Sequence, residues 1–217
     1  MNRAIDLAKK HNKKLHVAHL SQKSELELVI AEKEKGFPIT CEVTPHHLFL
    51  IEKDAIVLGP YGSMKPPLKS RKDVNFLWKH IDAIDCIATD HAPHTKSEKE
   101  SDNPPFGVPG LETSLPLMLT AVSEGRISID DIVRLMHEGP KKIFGIHVVP
   151  TTSRLNSTAS YAVLQSKTFI EVDANAEYTI ENKNLFTKCG WSPFGGMKVT
   201  GRVVRTVIRG KEVYKHE

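Results

Sequence analysis

The chain has 217 residues, of which 40% are hydrophobic, and its 30 Lys and Arg against 26 Asp and Glu leave a net charge of +4. This is apolar content for a real core rather than a disordered segment, in a size that fits one ordinary domain or a domain with a small appendage. The charge is spread without a basic block or interleaved aromatics, so no nucleic-acid partner is expected.

From residue 1 to about 145 helical and strand patterns alternate, which predicts a parallel α/β arrangement. Ala4, Ile5, Leu7 and Ala8 mark a first helix reaching about Asn12, without the continuous apolar core of a signal peptide. No later segment is long and apolar enough to span a bilayer, so a soluble chain with no membrane partner is expected. A strand over Lys14–Leu20 follows, then a helix from about Ser24, with Glu27 at capping-box spacing, that stops at Gly36 before Pro38. Pro38–Val43 reads as the next strand, and residues 44–67 as a long loop. Ser70 caps a helix whose Val74, Leu77, Trp78 and Ile81 define one buried face. The apolar run Ile84–Ile87 begins a strand ending at Asp90, and a Pro- and Gly-rich loop over 92–110 leads to a helix around Leu111–Val122. Ser128 caps another helix carrying Ile132, Leu135 and Met136.

After about Ile146 the pattern changes to short alternating runs: Tyr161–Leu164, Phe169–Val172, Tyr178–Ile180 and Arg202–Tyr214, the last broken at Gly210 as a hairpin. A small β module is expected there. Cys41, Cys86 and Cys189 are odd in number and far apart, which predicts free thiols in a reducing cytoplasm.

Chemistry concentrates at three predicted strand ends, which carry His16, His19, His46, His47, His91 and His94. In a parallel barrel such ends converge on one face, so distant residues can share one metal or substrate. His16 and His19 are three apart and alternate across a strand, so one of them faces inward; His19, at the strand end, is the candidate. His16 is expected to be a partly exposed or hydrogen-bonded structural histidine. Asp90 is the principal candidate, because a carboxylate at the end of a buried strand needs a cation or donors to meet it. Beside a divalent metal it can ligate, and it can accept a proton from water. His91 is expected behind Asp90, and His94 to reach a substrate. The Thr44-Pro45 pair is expected to throw His46 and His47 onto the loop, and Glu42 within its strand needs a partner. Lys65, ahead of Pro66 and Pro67, offers a rigidly held cation to an anionic substrate or a solvated turn.

These residues fall in recognisable runs: Cys41-Glu-Val-Thr-Pro-His-His-Leu48, Met64-Lys-Pro-Pro-Leu68, Ala88-Thr-Asp-His-Ala-Pro-His-Thr95, Pro105-Phe-Gly-Val-Pro-Gly-Leu-Glu-Thr113 and Trp191-Ser-Pro-Phe194. Together, from about His16 to Tyr214, they resemble the dihydroorotases of the amidohydrolase superfamily. The resemblance implies an α/β fold, the C-terminal part of a metal-dependent (β/α)8 TIM-like barrel. Strands six to eight and their helices would occupy residues 1–145, and a small β-rich composite domain residues 146–217. It also implies interconversion of carbamoyl aspartate and dihydroorotate in pyrimidine synthesis, with zinc as the expected metal. On the family's pattern, His19 is a metal ligand, Asp90 a metal ligand and proton shuttle, His94 a substrate contact, and Phe106 and Gly107 the backbone against the substrate ring. Lys65 stands where the family usually has Asn or Arg against the substrate carboxylate; it keeps charge without bidentate geometry.

The family's His-x-His-x-Arg strand, its bridging carboxylated lysine or aspartate and its fifth-strand histidine have no counterpart here, so strands one to five are expected to be missing. Little activity is expected of the chain alone. Several readings stay open. One is catalysis on completion by an N-terminal barrel fragment or within a longer protein. The others are a non-catalytic scaffold or regulatory subunit that binds a transcarbamoylase, a relic of truncation, and a related cyclic amidohydrolase.

Overall fold

A computed structural model describes residues 1–146 and 167–216, so the expected strand Tyr161–Leu164 lies outside the described residues. The chain forms two compact units that interleave along the sequence: Met1–Glu112 with Leu185–Pro193, and Thr113–Asn184 with Phe194–Glu217.

The first unit is built on a parallel sheet of β1 (Leu15–Val17), β2 (Ile39–Val43) and β3 (Cys86–Ile87), in that order. Leu15 pairs with Ile39 and Val43 with Ile87, which fixes the register. Alternation along β2 buries Ile39, Cys41 and Val43 and leaves Thr40 and Glu42 half-buried on the opposite face. Helices α1 (Asn2–Lys10), α2 (Lys23–Glu34) and α5 (Arg71–Lys79) accompany the sheet, α2 packing on β2 and on α5. Leu26, Val29, Val74 and Leu77 supply that core, all nearly or fully buried. Ser70 caps α5 as expected, its hydroxyl accepting from the Asp73 amide. Gly36 takes the left-handed φ of 76° that stops α2.

Four expectations need correction. Helix α2 starts at Lys23, because the Glu25 carboxylate accepts from the Ser21 and Gln22 amides; Ser24 and Glu27 form no capping box. Strands β1 and β3 are shorter than predicted, since His19 (φ 37°) and Asp90 (φ 45°) turn the backbone left-handed beyond them. Residues 44–67 are not one loop: they hold α3 (Pro45–Phe49), α4 (Glu52–Leu58) and a 3₁₀ turn at Gly59–Gly62. Thr44 caps α3, and Pro45 occupies its first turn, where no amide hydrogen is needed. The chain continues through the single-turn helix α6 (Lys96–Lys99) into α7 (Leu111–Ser123).

In the second unit, Ser128 caps α8 (Ile129–Val133) as expected, but the helix proceeds through a π turn at Arg134–Glu138 into α9 (Gly139–Phe144). An antiparallel sheet orders β4 (Phe169–Thr179), β5 (Lys198–Ile208) and β6 (Lys211–Lys215). The expected runs Phe169–Val172 and Tyr178–Ile180 belong largely to the single strand β4, whose register shifts between Asp173 and Glu177. The predicted hairpin is present: Arg209 (φ 53°) and Gly210 (φ 82°) are both left-handed, the geometry a two-residue turn needs. Among the described residues no helix is long and apolar enough to cross a membrane.

Candidate functional site

The half-buried face of the parallel sheet carries the first cluster. His16 Nδ1 lies 2.8 Å from Thr40 Oγ1 and His16 Nε2 lies 3.0 Å from Glu42 Oε2. The other Glu42 oxygen accepts from the His19 amide at 3.3 Å. Glu42 thus has its partners, and His16 is the hydrogen-bonded histidine the sequence predicts. Strand alternation does not reach His19, because β1 has ended at Val17 and the left-handed backbone re-aims the residue. His16, Glu42 and Cys86 bring their ligand atoms within 4.8 Å of one another. Cys41 and Cys86 are free and buried, and burial pushes both thiols up to about 12, so neither is a thiolate at neutral pH.

His46 and His47 are not on a loop; both are buried in α3, their rings 4.5 Å apart. The Pro66 carbonyl accepts from His47 Nε2–H at 3.0 Å, so Nδ1 is the acceptor for the Thr44 hydroxyl at 2.8 Å. Burial holds this imidazole down at about 4. Burial, aided by the charges His47 and His19 would carry, holds His46 well below the usual histidine range. His46 Nε2 is buried with no hydrogen-bond partner among the described residues.

Asp90 lies exposed beyond β3. Its carboxylate is therefore not the buried strand-end group expected from the sequence, and Asp90 stands as a candidate on its place in the Ala88–Thr95 run and its left-handed backbone. His91 bonds the start of α7: its Nδ1 accepts from the Gly110 amide at 3.1 Å and the Leu111 amide at 3.4 Å. That fixes the remaining proton on Nε2.

The structure does bring together Lys65, His94, Phe106 and Gly107. Lys65 Nζ sits 4.1 Å from the centroid of the exposed Phe106 ring, a cation–π contact. His94 Nε2–H donates to the Phe106 carbonyl at 3.1 Å, which leaves Nδ1 as an acceptor in the neutral imidazole. Gly107 donates to the Ser63 carbonyl at 3.0 Å with φ 129°, and a Cβ there would meet Ala92 Cβ at 2.6 Å. Trp191 Nε1 donates to the His94 carbonyl at 2.7 Å.

Lys99, whose ammonium bonds the Ser63, Pro105 and Gly107 carbonyls, and Trp191 adjoin this cluster and were not among the expected site residues. Lys96-Ser-Glu-Lys99 reads as a solvated charged run, and only the Thr95–Glu98 capping box announces a helical turn there. Nothing in that spacing shows that the last lysine turns inward.

Imidazole nitrogen and carboxylate oxygen are ordinary zinc ligands, and His19 and Asp90 offer one of each. A catalytic zinc takes three protein ligands and a water, so this pair fits in kind and falls short in number. Among the described residues no hydrogen bond or ion pair joins His19 to Asp90, and the group of three potential ligands is His16, Glu42 and Cys86.

No protein-family model matches the chain. It is 47% identical over 209 residues to the multifunctional protein CAD of Squalus acanthias, covering 96% of this chain and 9% of that protein. It is 40% identical over 217 residues to a dihydroorotase of Pyrococcus furiosus, covering 100% of this chain and 49% of the relative. Among solved structures, an L-hydantoinase (dihydropyrimidinase) of Arthrobacter aurescens superposes with a TM-score of 0.85 at 32% identity, over 99% of this chain and 48% of that one. The chain thus spans about half the length of the single-function proteins it matches.

Proposed function

We propose, on the premise that the chain belongs to the dihydroorotase-like amidohydrolases, that it supplies part of an active site interconverting carbamoyl aspartate and dihydroorotate, a step of pyrimidine synthesis. The observation that carries the proposal is the cluster of Lys65, His94, Phe106 and Gly107 on two loops joined by the Gly107–Ser63 hydrogen bond. Such a cluster presents a cation, an imidazole acceptor and an apolar ring to one small anionic, cyclic molecule. Lys65 would meet the substrate carboxylate, His94 Nδ1 a ring N–H, and the Phe106–Gly107 backbone the ring itself.

In ring opening, the Asp90 carboxylate takes the proton of the attacking water and returns it to the departing ring nitrogen, so one carboxylate serves as base and then acid. His19 and Asp90 would contribute two ligands to a zinc centre completed by other residues; such a metal, when bound, polarises the amide carbonyl and acidifies water. The reading places residues 1–145 as strands six to eight of a (β/α)8 barrel and 146–217 as a β domain, in a cytoplasmic protein. The completing element is an N-terminal barrel fragment or a longer chain that holds one, and a transcarbamoylase is a further candidate partner.

The test is the metal content and dihydroorotate hydrolysis of the purified chain, alone and co-expressed with a fragment bearing the family's first five strands. The expected outcome is no appreciable turnover alone, turnover on completion, and at least a hundredfold loss with Asp90→Ala. Robust turnover by the chain alone would refute the need for a partner. A folded complex without metal or turnover would replace the catalytic proposal with that of a scaffold.

A further inference from the structure

Lys99 is fully buried, and among the described residues no carboxylate forms an ion pair with it. Its ammonium instead donates to three backbone carbonyls: Pro105 at 2.8 Å, Ser63 at 3.2 Å and Gly107 at 3.2 Å. The three donors of an –NH₃⁺ group are thereby matched one to one, which is what lets a cation stay charged away from water. The Trp191 ring, itself buried, lies 5.6 Å from the ammonium. Burial lowers the lysine's proton affinity.

The positions of the three carbonyls give the arrangement its meaning. Pro105 and Gly107 flank Phe106, and Ser63 lies two residues before Lys65. One buried charge therefore clamps the two loops that carry the cation–π pair. In a trans peptide the N–H points opposite to the C=O. With the Pro105 carbonyl turned onto the ammonium, the Phe106 N–H is turned away from it. The clamp thus sets which edge of the loop backbone faces outward beside His94.

We propose that Lys99 is a positioning residue for the substrate-binding loops: its ammonium fixes the Ser63–Lys65 and Pro105–Gly107 segments in one geometry, and its loss weakens substrate binding more than turnover. The inference rests on the proposed function for its last clause only; the loop clamp itself is a property of this chain.

Three readouts test it. In the wild-type chain, a lysine-selective ¹⁵N NMR spectrum should show one side-chain ammonium exchanging its protons at least tenfold more slowly than the solvent-exposed lysines. In Lys99→Met, whose unbranched side chain is one atom shorter and carries no donors, chymotryptic cleavage after Phe106 should accelerate at least tenfold while the far-ultraviolet circular dichroism is retained. In the completed enzyme, Lys99→Met should raise KM at least tenfold with kcat changed less than threefold, and Lys99→Arg should recover part of the loss. Unchanged cleavage together with unchanged KM would overturn the proposal, as would an ammonium that exchanges like the surface lysines. If Lys99→Met does not fold, the wild-type spectrum decides. If the completed wild-type enzyme has no turnover, the proposed function falls, while the spectrum and the cleavage rate still decide the clamp.

Discussion

His46 and His47 enter the interior as neutral imidazoles, and this makes stability depend on pH. Below the ordinary histidine value the unfolded chain binds protons that the folded chain refuses. The stabilisation is complete above pH 6.5 and is lost as pH falls toward about 4, where His47 titrates when folded. For His47 alone the interval corresponds to roughly 3 kcal/mol, and His46 acts in the same direction. Urea unfolding at pH 7.5, 5.5 and 4.5 should show a falling midpoint, and His47→Gln, which keeps a donor for the Pro66 carbonyl, should flatten the fall; parallel profiles would count against the assignment. At Gly107, replacement by Ala sets a Cβ against Ala92 in a backbone region that side chains rarely adopt, and should cost about 1–3 kcal/mol in the same assay. The residue scale is also where the sequence is hardest to read. Lys99 stands in a charged run like any solvated turn, and its burial follows from carbonyls far along the chain. Asp90 was legible as a motif residue, but its exposure was not, because an apolar run shows where a strand begins and not where a left-handed residue ends it.

Elements with local chemistry were legible in outline. The cap at Ser70, the stop at Gly36 and the turn at Arg209–Gly210 each depend on a few adjacent residues, and each is present. Helix α3 shows the opposite case. Thr44-Pro45 is a helix-start signal as well as a turn signal, and a five-residue helix has no periodicity to decide between them. The cap has a consequence that a loop would not. Thr44 is fully buried, and its hydroxyl accepts from the His47 amide while bonding His47 Nδ1. Thr44→Ala should therefore destabilise the chain by about 1–3 kcal/mol, combining a lost cap with an unsatisfied imidazole nitrogen. Thr44→Ser should recover most of that in a denaturation series, and an equal loss in both variants would assign the effect to the missing methyl group instead.

At the scale of the molecule, the parallel sheet of the first unit has β2 in its centre, with β1 and β3 each paired to it on one side. A parallel sheet in a barrel is closed, and an open edge is a surface on which another strand can add. The His16, Thr40 and Glu42 face is half-buried where the opposite face of β2 is fully buried, so the polar side of this sheet is the side with room for further packing. If the proposed complement adds strands beside β1 and β3, amide hydrogen exchange in Leu15–Val17 and Cys86–Ile87 should slow at least tenfold on co-expression with the first-five-strand fragment. Exchange in β4 and β5, which already pair along most of their lengths, should stay unchanged. Slowing confined to the antiparallel sheet would place the partner on the second unit and remove the barrel-completion argument. Slowing at β1 and β3 without turnover would keep the architecture and reject the catalysis. The exchange pattern therefore separates the structural half of the proposal from the chemical half.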